Sequence, residues 1–297
     1  MSPIIECVPN FSEGRSPHVI DALTEVITAV KDVKLLHVTS DRDHNRTVMT
    51  FAGKPSAVAE AAYNAIALAS KLIDMKQHSG VHPRIGATDV VPFIPLVGAT
   101  MQDCIKLARR LGQKVGDELS LPVYLYEQAA IRAERRNLSL IRRGEYEALL
   151  SEISTAERYP DYGPAVMGPA GAVAIGARKS LIAYNVYLTT DDVTIAHKIA
   201  RAIRGSSGGL VGVKALGLLV KGRAQVSMNL TDYEQTPIYR VMELIRLEAQ
   251  KLGTQIYESE LIGLIPQDAL LQTVSWYLQL PDLTTEQLLE NRLLQSI

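Results

Sequence analysis

Two stretches of this chain read in the same element order, β-α-β-β-α-β, and no other feature narrows the fold as much. In the first, Ile4 to Val8 reads as a strand. Pro17 to Val30 reads as an amphipathic helix, with Val19, Ile20, Leu23, Val26, Ile27 and Val30 on one side. Val33 to Val38 and Thr47 to Phe51 read as strands joined through the turn residues 40–45. Pro55 to Ile73 is an alanine-rich helix with Pro at its start, and Val90 to Leu96 closes the set. In the second, Leu181 to Leu188 is a strand and Asp191 to Arg204 a helix that Gly205 stops. Lys214 to Val220 and Ala224 to Leu230 make a hairpin across Lys221-Gly222-Arg223, Pro237 to Leu252 is a helix stopped by Gly253, and Glu260 to Ile265 is a last strand. This order is that of the ferredoxin-like split βαβ unit. The expected protein is therefore mixed α/β (α+β), with two such subdomains at residues 1–178 and 179–297. The halves share a pattern and hardly any residues. Between them lie a helix (Met101 to Leu119), a strand (Val123 to Tyr126), a basic helical stretch (Ala129 to Ile153) and a small-residue strand (Val173 to Ala177).

Split βαβ sheets carry both helices on one face, so the other face is either solvated or covered. In Ala224 to Thr231, Val226, Met228 and Leu230 alternate with Gln225, Ser227, Asn229 and Thr231. In Leu181 to Leu188, Ile182, Tyr184, Val186 and Leu188 alternate with Ala183, Asn185 and Tyr187. The second set in each strand is polar but uncharged. That composition suits a buried cleft that hydrogen-bonds a flat polar ligand, and Asn185, Gln225 and Asn229 are expected to point into it. The alternative is an ordinary water-facing sheet.

Composition excludes several classes. The net charge of −1, from 31 basic and 32 acidic residues, gives no electrostatic reason to expect nucleic acid or an anionic membrane as partner. The N-terminus lacks a basic segment followed by a long apolar run, and no apolar run is long enough to span a bilayer. Two cysteines, Cys7 and Cys104, make no disulfide framework and suit a reducing cytoplasm.

The chemistry concentrates in residues 78–93, where two imidazoles, a guanidinium and a carboxylate (His78, His82, Arg84, Asp89) stand among Gly and Pro. Imidazole ordinarily titrates near pH 7 and both gives and takes a proton there. Pro83 pushes His82 toward an extended backbone and Gly80 precedes it, so the segment reads as a shaped loop. His78 and His82 have the spacing of two metal ligands on a helix, but the loop backbone and the scarcity of a third ligand argue against metal. An imidazole that merely ties the loop together is the bland alternative.

Residues 163–172 form a Gly- and Pro-rich stretch whose N–H groups can hold a carboxylate or a ring amide, or which serves as an interdomain linker. It is neither a P-loop nor a dinucleotide fingerprint. Gly205-Ser206-Ser207-Gly208-Gly209 follows a helix, the reverse of what a phosphate loop needs. Cys7 reads either as a nucleophile or, more commonly for such a residue, as a buried structural thiol.

These motifs resemble the formiminotransferase domain family: the glutamate formiminotransferases and the N-terminal part of the formiminotransferase-cyclodeaminases. The resemblance lies in Glu6-Cys7-Val8-Pro9-Asn10-Phe11-Ser12-Glu13-Gly14, Asn45-Arg46-Thr47-Val48 and the stretch from His78 to Pro92. It continues in Pro122 to Tyr126, Gly144-Glu145-Tyr146-Glu147-Ala148-Leu149, Gly176-Ala177-Arg178, Leu181 to Asn185, Ala224 to Leu230 and Leu261 to Pro266. It implies two subdomains with sheets facing across a substrate cleft, helices outside, in a homodimer. It implies transfer of a formimino group from N-formimino-L-glutamate to N5 of tetrahydrofolate, the co-substrate. Formyl transfer between glutamate and tetrahydrofolate, and folate binding without turnover, are the alternatives. His82 is implied as the catalytic acid/base. Gly163, Pro164, Gly168, Pro169, Gly171 and Ala172 are implied as folate contacts, and Asn10 and Asn45 join them on the family motifs. Arg84, Arg46 or Arg178 are expected to hold the glutamate carboxylates, and Asp89 to orient His82 or Arg84. No metal is expected. Animal relatives are acidic where this chain has Thr39; the nearest acids here are Asp41 and Asp43. Because the chain ends at Ile297, the cyclodeaminase activity of the longer relatives is not expected.

Overall fold

A computed structural model describes residues 2–295. The chain divides into two compact units, with the boundary between Lys179 and Ser180.

In the first unit strands β1 (Ile5–Cys7) and β2 (Asn10–Phe11) are two pieces of one line, interrupted at Pro9, which has no N–H to give. Helix α1 (Pro17–Thr28) follows, then β3 (Val33–Asp41), β4 (Arg46–Gly53), α2 (Pro55–Leu72) and β5 (Thr88–Pro95). Counting β1 and β2 as one strand, the sheet runs β3, β4, β1/β2, β5, all antiparallel, which is the split βαβ arrangement. Helix α3 (Met101–Leu119) starts at a capping box between Thr100 and Asp103. Strands β6 (Val123–Glu127) and β7 (Val173–Ala177) then extend the sheet in parallel, in the order β5, β7, β6.

Alternation sorts this sheet into two faces. Ile5, Cys7, Phe11, Met49, Phe51, Val91, Phe93, Val173 and Ile175 pack with α1, α2 and α3 in one buried core. Tyr124, Tyr126, Val90 and Ala174 on the opposite face pack with Ile141 and Leu149. These two come from α4 (Leu138–Ile141) and α5 (Glu145–Glu152). The basic stretch from 129 to 153 is thus several short pieces and not one helix. Asn137 caps α4, and Gly144, at φ 71°, breaks the chain before α5. Two arginines in and just after it are spent inside the unit. Arg135 pairs with Asp161, both buried, at 2.5 Å, and Arg158 donates to the carbonyls of Leu140 and Arg143.

The second unit contains β8 (Ile182–Leu188), α6 (Val193–Ile203), β9 (Val213–Val220), β10 (Arg223–Leu230), α7 (Ile238–Lys251) and β11 (Ile256–Ile262). Its antiparallel sheet runs β11, β8, β10, β9, the same arrangement again. The β9–β10 turn is Lys221-Gly222 with both φ positive, at 49° and 74°, as a two-residue hairpin requires. Ile182, Val186, Leu188, Val226, Met228 and Leu230 form the core with α6 and α7. The last strand begins four residues before the expected Glu260. Helices α8 (Gln267–Leu278) and α9 (Leu289–Gln295) were not expected from the sequence. No helix among the described residues is long and apolar enough to cross a membrane.

Candidate active site

His82 lies on the connection from α2 to β5, residues 73–87, which has no regular structure. The link is held against the β3–β4 turn at several points. Asn45 sits in the left-handed region, at φ 47°, a conformation its short polar side chain tolerates. Its Oδ1 accepts the Gly14 N–H at 2.9 Å and its Nδ2 donates to the Ser79 carbonyl at 3.0 Å. The His78 Nε2 meets the Asn45 carbonyl at 3.0 Å. Between these ties a Cβ on Gly80 would lie 2.4 Å from the His44 carbonyl oxygen, so only glycine allows the approach. Just past His82, Gly86 and Gly171 form an antiparallel bridge. The Ala87 N–H donates to Ala170 and the Ala172 N–H to Ile85, at 2.8 and 2.9 Å.

This backbone shapes a small, tightly packed polar recess lined by Phe11, Ser12, His44, Asn45, Arg46, His78, His82, Arg84 and Asp89. Arg46 and Asp89 arrive from the ends of β4 and β5, which β2 brings together: Phe11 is opposite both Thr47 and Thr88. The charges are distributed unevenly. Asp89 accepts the Ile85 N–H at 3.0 Å and pairs with Arg142, which reaches in from the end of α4. Arg84 is buried and fully engaged. It donates to His78 Nδ1 at 3.2 Å, to Glu145 at 2.5 Å and to both oxygens of Glu147 at 2.6 and 2.8 Å. Arg46 has a buried Nε with no hydrogen-bond partner among the described residues.

His82 responds to this imbalance. Burial pushes its pKa down to about 2, helped by the charges of Arg46 and Arg142 and by the neighbouring His44. Its ring lies edge-on to that of His44, with centroids 6.5 Å apart. The imidazole is therefore held neutral far below the near-neutral titration expected of a free histidine. Burial also lowers the Arg46 pKa, with Arg142 adding repulsion. The recess thus sets a neutral imidazole beside a desolvated guanidinium.

Several expectations need correcting. Asp89 orients neither His82 nor Arg84; its carboxylate is spent on Arg142. Arg84 is not free to take a carboxylate, because Glu145 and Glu147 hold it. Arg178 follows β7, its N–H bonded to the Phe93 carbonyl. Its guanidinium bonds the Lys179 carbonyl and the Tyr126 side chain, a phenol that also feels the charge of Arg142. In residues 163–172 the N–H groups of Gly171 and Ala172 are used by Gly168 and Ile85, and the Pro169 carbonyl by Met75. Gly163 packs against Leu121 and Gly116 of α3, and Gly168 stands in open space. The stretch is a strap inside the first unit, not a linker. Asn10 lies on β2, with Nδ2 bonded to the Val8 carbonyl at 3.2 Å. Asp41 is occupied with the Asp43 and His44 N–H groups and the His44 ring. Both cysteines are buried, with thiol pKa values raised chiefly by burial. Among the described residues no group of three His, Cys, Asp or Glu could hold a metal.

Arg142, Glu145, Glu147 and His44 belong to this corner and were not singled out. Glu145 stands in the left-handed region at φ 59°, unusual for a side chain of its kind. The Gly144-Glu145 step was the available signal, since a helix opening on an acidic residue directly after Gly is a shaped feature.

On the second unit's sheet, the face opposite its core carries Asn185, Tyr187 and Gln225. Asn185 and Tyr187 both donate to Glu260, each at 3.2 Å, and Tyr187 also bonds Gln225. Gln225 is buried, Asn185 half-buried and Asn229 exposed, so the expectation of three enclosed amides fails at Asn229. Glu260 is the carboxylate the sequence reading passed over.

Fold and corner together describe a two-unit split βαβ protein with a histidine-bearing polar recess. The family model of the formiminotransferase domain, N-terminal subdomain, matches residues 4–178, and that of the formiminotransferase domain matches residues 183–295. The chain belongs to the formiminotransferase domain family. It is 47% identical to the glutamate formimidoyltransferase of Thermoplasma acidophilum, over 98% of this chain and 97% of that one. It is 44% identical to the glutamate formimidoyltransferase of Streptococcus pyogenes serotype M1, over 99% and 100%. It is 45% identical to the formimidoyltransferase-cyclodeaminase of Rattus norvegicus, over 93% of this chain and 53% of that longer protein.

Proposed function

We propose that this protein transfers a formimino group from N-formimino-L-glutamate to N5 of tetrahydrofolate, with His82 as the acid/base. The observation that carries the chemistry is a neutral imidazole in one recess with half-buried Arg46, whose buried Nε is unpaired. N5 attacks the amidine carbon and forms the new C–N bond. His82 takes the proton that N5 must lose and gives it to the glutamate nitrogen. The old C–N bond then breaks, leaving glutamate and 5-formiminotetrahydrofolate. Holding both substrates in line supplies several kcal/mol of the barrier, roughly 7–11 in well-oriented systems. Arg46 takes a donor carboxylate. The strap at 163–172 contacts the folate ring through its open part around Gly168. The relatives' names and the family match support the donor and the acceptor. The protein works without metal, as a cytoplasmic homodimer.

The test is direct. The protein is incubated with tetrahydrofolate and either formiminoglutamate or formylglutamate, and the folate product is identified by mass. 5-Formiminotetrahydrofolate from the first donor, with the rate unchanged by a chelator, is expected. Product from formylglutamate alone would make the protein a formyltransferase. Tight tetrahydrofolate binding with neither product would make it a binding protein.

A further inference from the structure

His82 stands between two residues that bond each other across its loop. Arg84 Nε donates to His78 Nδ1 at 3.2 Å, and this side-chain bond closes residues 78–84 around His82. Both ends of the closure are anchored elsewhere. His78 Nε2 meets the Asn45 carbonyl of the β3–β4 turn at 3.0 Å. Arg84 forks onto Glu145 at 2.5 Å and Glu147 at 2.6 and 2.8 Å, both on α5, and its carbonyl accepts the Tyr146 N–H at 2.9 Å. The partners decide the state of the His78 imidazole. A carbonyl only accepts, so Nε2 carries the hydrogen. A guanidinium N–H only donates, so Nδ1 carries none. The two bonds therefore select the neutral Nε2–H tautomer. A proton on Nδ1 would aim one donor at another and set a second cation against the first.

This inference rests on the proposed reaction, because it assigns what holds the acid/base in place. We propose that His78 and Arg84 are positioning residues that latch the His82 loop, and that the latch is closed only while His78 is neutral. Arg84 sets the span. Its guanidinium is shared by two carboxylates, which hold its plane before it reaches His78. Glu145 adopts the left-handed backbone, at φ 59°, at the start of α5 to be one of them. His78 passes the position on to Asn45, which ties the turn to Gly14 and Ser79. Opening the latch frees the stretch between its ends, and His82 leaves the reacting line although its own imidazole is unchanged. The charges facing His78 are mixed in sign: Glu13 and Arg15 from the segment before α1, Arg84 from the loop, and Glu147 from α5. Burial, with Arg84 and Arg15, outweighs the Asn45 bond and Glu13 and holds the His78 pKa below its ordinary 6.5. The latch is thus closed at neutral pH and opens as pH falls below that value.

A glutamine at 78 accepts from Arg84 through its carbonyl oxygen and donates to Asn45 through its amide, as the neutral imidazole does, but it takes no proton. The rate of transfer from formiminoglutamate is measured from about pH 8 to about pH 5 in wild type, His78→Ala and His78→Gln. His78→Ala loses both bonds, and its kcat should be about tenfold lower across the range, the size of one modest hydrogen bond. His78→Gln should recover most of that loss and keep its rate on the acid side, where the wild type falls toward the Ala variant. KM for tetrahydrofolate should stay within about twofold in all three, because the latch acts on the loop and not on binding. A second measurement needs no turnover. In the protein with 15N-labelled histidine, His78→Gln identifies the His78 resonances by their loss. At neutral pH the wild-type His78 Nδ1 should resonate as a bare ring nitrogen and Nε2 as a protonated one. As His78 takes its proton the His82 resonances should shift with the same midpoint, and in His78→Gln they should not move over that range. An Nδ1–H tautomer at His78, or His82 resonances that ignore the His78 titration, overturns the proposal. So does an acid limb in His78→Gln equal to that of the wild type. The spectra are taken without substrate, so they decide the latch even if the transfer assay yields no product.

Discussion

In the second unit the link from the last helix of the split βαβ motif to its last strand is residues 252–255. In the first the same link is residues 73–87 and carries His78, His82 and Arg84. The two units share strand order and antiparallel pairing, yet differ in what stands at the strand ends. The first has added a long loop before β5 and, after it, a segment that returns over the sheet with Arg142, Glu145 and Glu147. The second has a short link and a face of amides and phenols around one carboxylate, Glu260, held by an amide and a phenol. The frame supplies position and the additions supply charge. Chemistry that needs a proton acceptor in a desolvated field belongs in the first unit. Hydrogen bonding to an uncharged ring suits the second.

The largest expected difference between the units is the cost of removing one acid from each. Asp89→Asn breaks a buried pair and leaves Arg142 without compensation, which costs about 3–5 kcal/mol. Glu260→Gln removes a half-buried carboxylate that two neutral groups bond, which costs about 1 kcal/mol. Urea unfolding followed by circular dichroism measures both. Equal losses would mean that the corner's charges are no more strongly coupled than those of the open face.

Next comes rate. His82→Asn should lower kcat by about a hundredfold or more, the range for a lost general acid/base. His78 shares the loop but is a strut between the Asn45 carbonyl and Arg84, so His78→Asn should stay within about tenfold of wild type, since a modest hydrogen bond is what it loses. Steady-state kinetics with formiminoglutamate decides the matter. His78 essential and His82 dispensable would reverse the roles, and equal loss would return the two as a metal pair.

How far the sequence carried these distinctions depends on the range of the cause. The split βαβ order was legible because it rests on local signals: Pro17 and Pro55 at helix starts, alternation in β8 and β10, and the Lys221-Gly222 turn. His82 and the 78–93 stretch were legible because Gly and Pro concentrate there. The charge partners were not. Arg142 is 53 residues from Asp89, and Glu147 is 63 from Arg84, so no periodicity links them. The basic run at 129–153 looked like one helix because its breaks are a single Asn cap and a single Gly. The lowering of the His82 pKa was not legible for the same reason, since it depends on burial and on two distant arginines. Asn229 shares the face of Gln225 by alternation, but alternation assigns a face and not its depth.

A smaller effect is the acid side of the stability curve. The His82 pKa is lowered from 6.5 to about 2 in the folded chain. Below pH 6.5 the unfolded chain therefore binds a proton that the folded chain refuses. Stability is lost progressively as pH falls from 6.5 toward 2, by up to about 1.4 kcal/mol per pH unit from this one group. His82→Gln should flatten the curve by up to that slope between pH 6 and 4, measured by urea unfolding at each pH. An unchanged slope would mean that His82 is not held neutral in the empty protein.

The smallest effect sharpens the reading of the second unit's open face. Gln225 and Asn229 sit on the same strand, β10, and by alternation on the same side of it, so sequence alone treats them alike. The structure separates them. Gln225 is buried and bonded to Tyr187, which in turn holds Glu260. Asn229 is exposed, opposite Lys214 and Ala183. If this face receives the folate ring through an ordered amide network, Gln225→Ala loses a bond inside that network, and tetrahydrofolate binding should weaken about tenfold, equivalent to about 1.4 kcal/mol. Asn229→Ala removes a solvated side chain and should leave both affinity and stability within about 0.5 kcal/mol of wild type. Calorimetric titration with tetrahydrofolate reads both. Equal weakening by the two changes would show that the ligand reaches out to Asn229, and that depth on this face does not sort its residues into contact and scaffold.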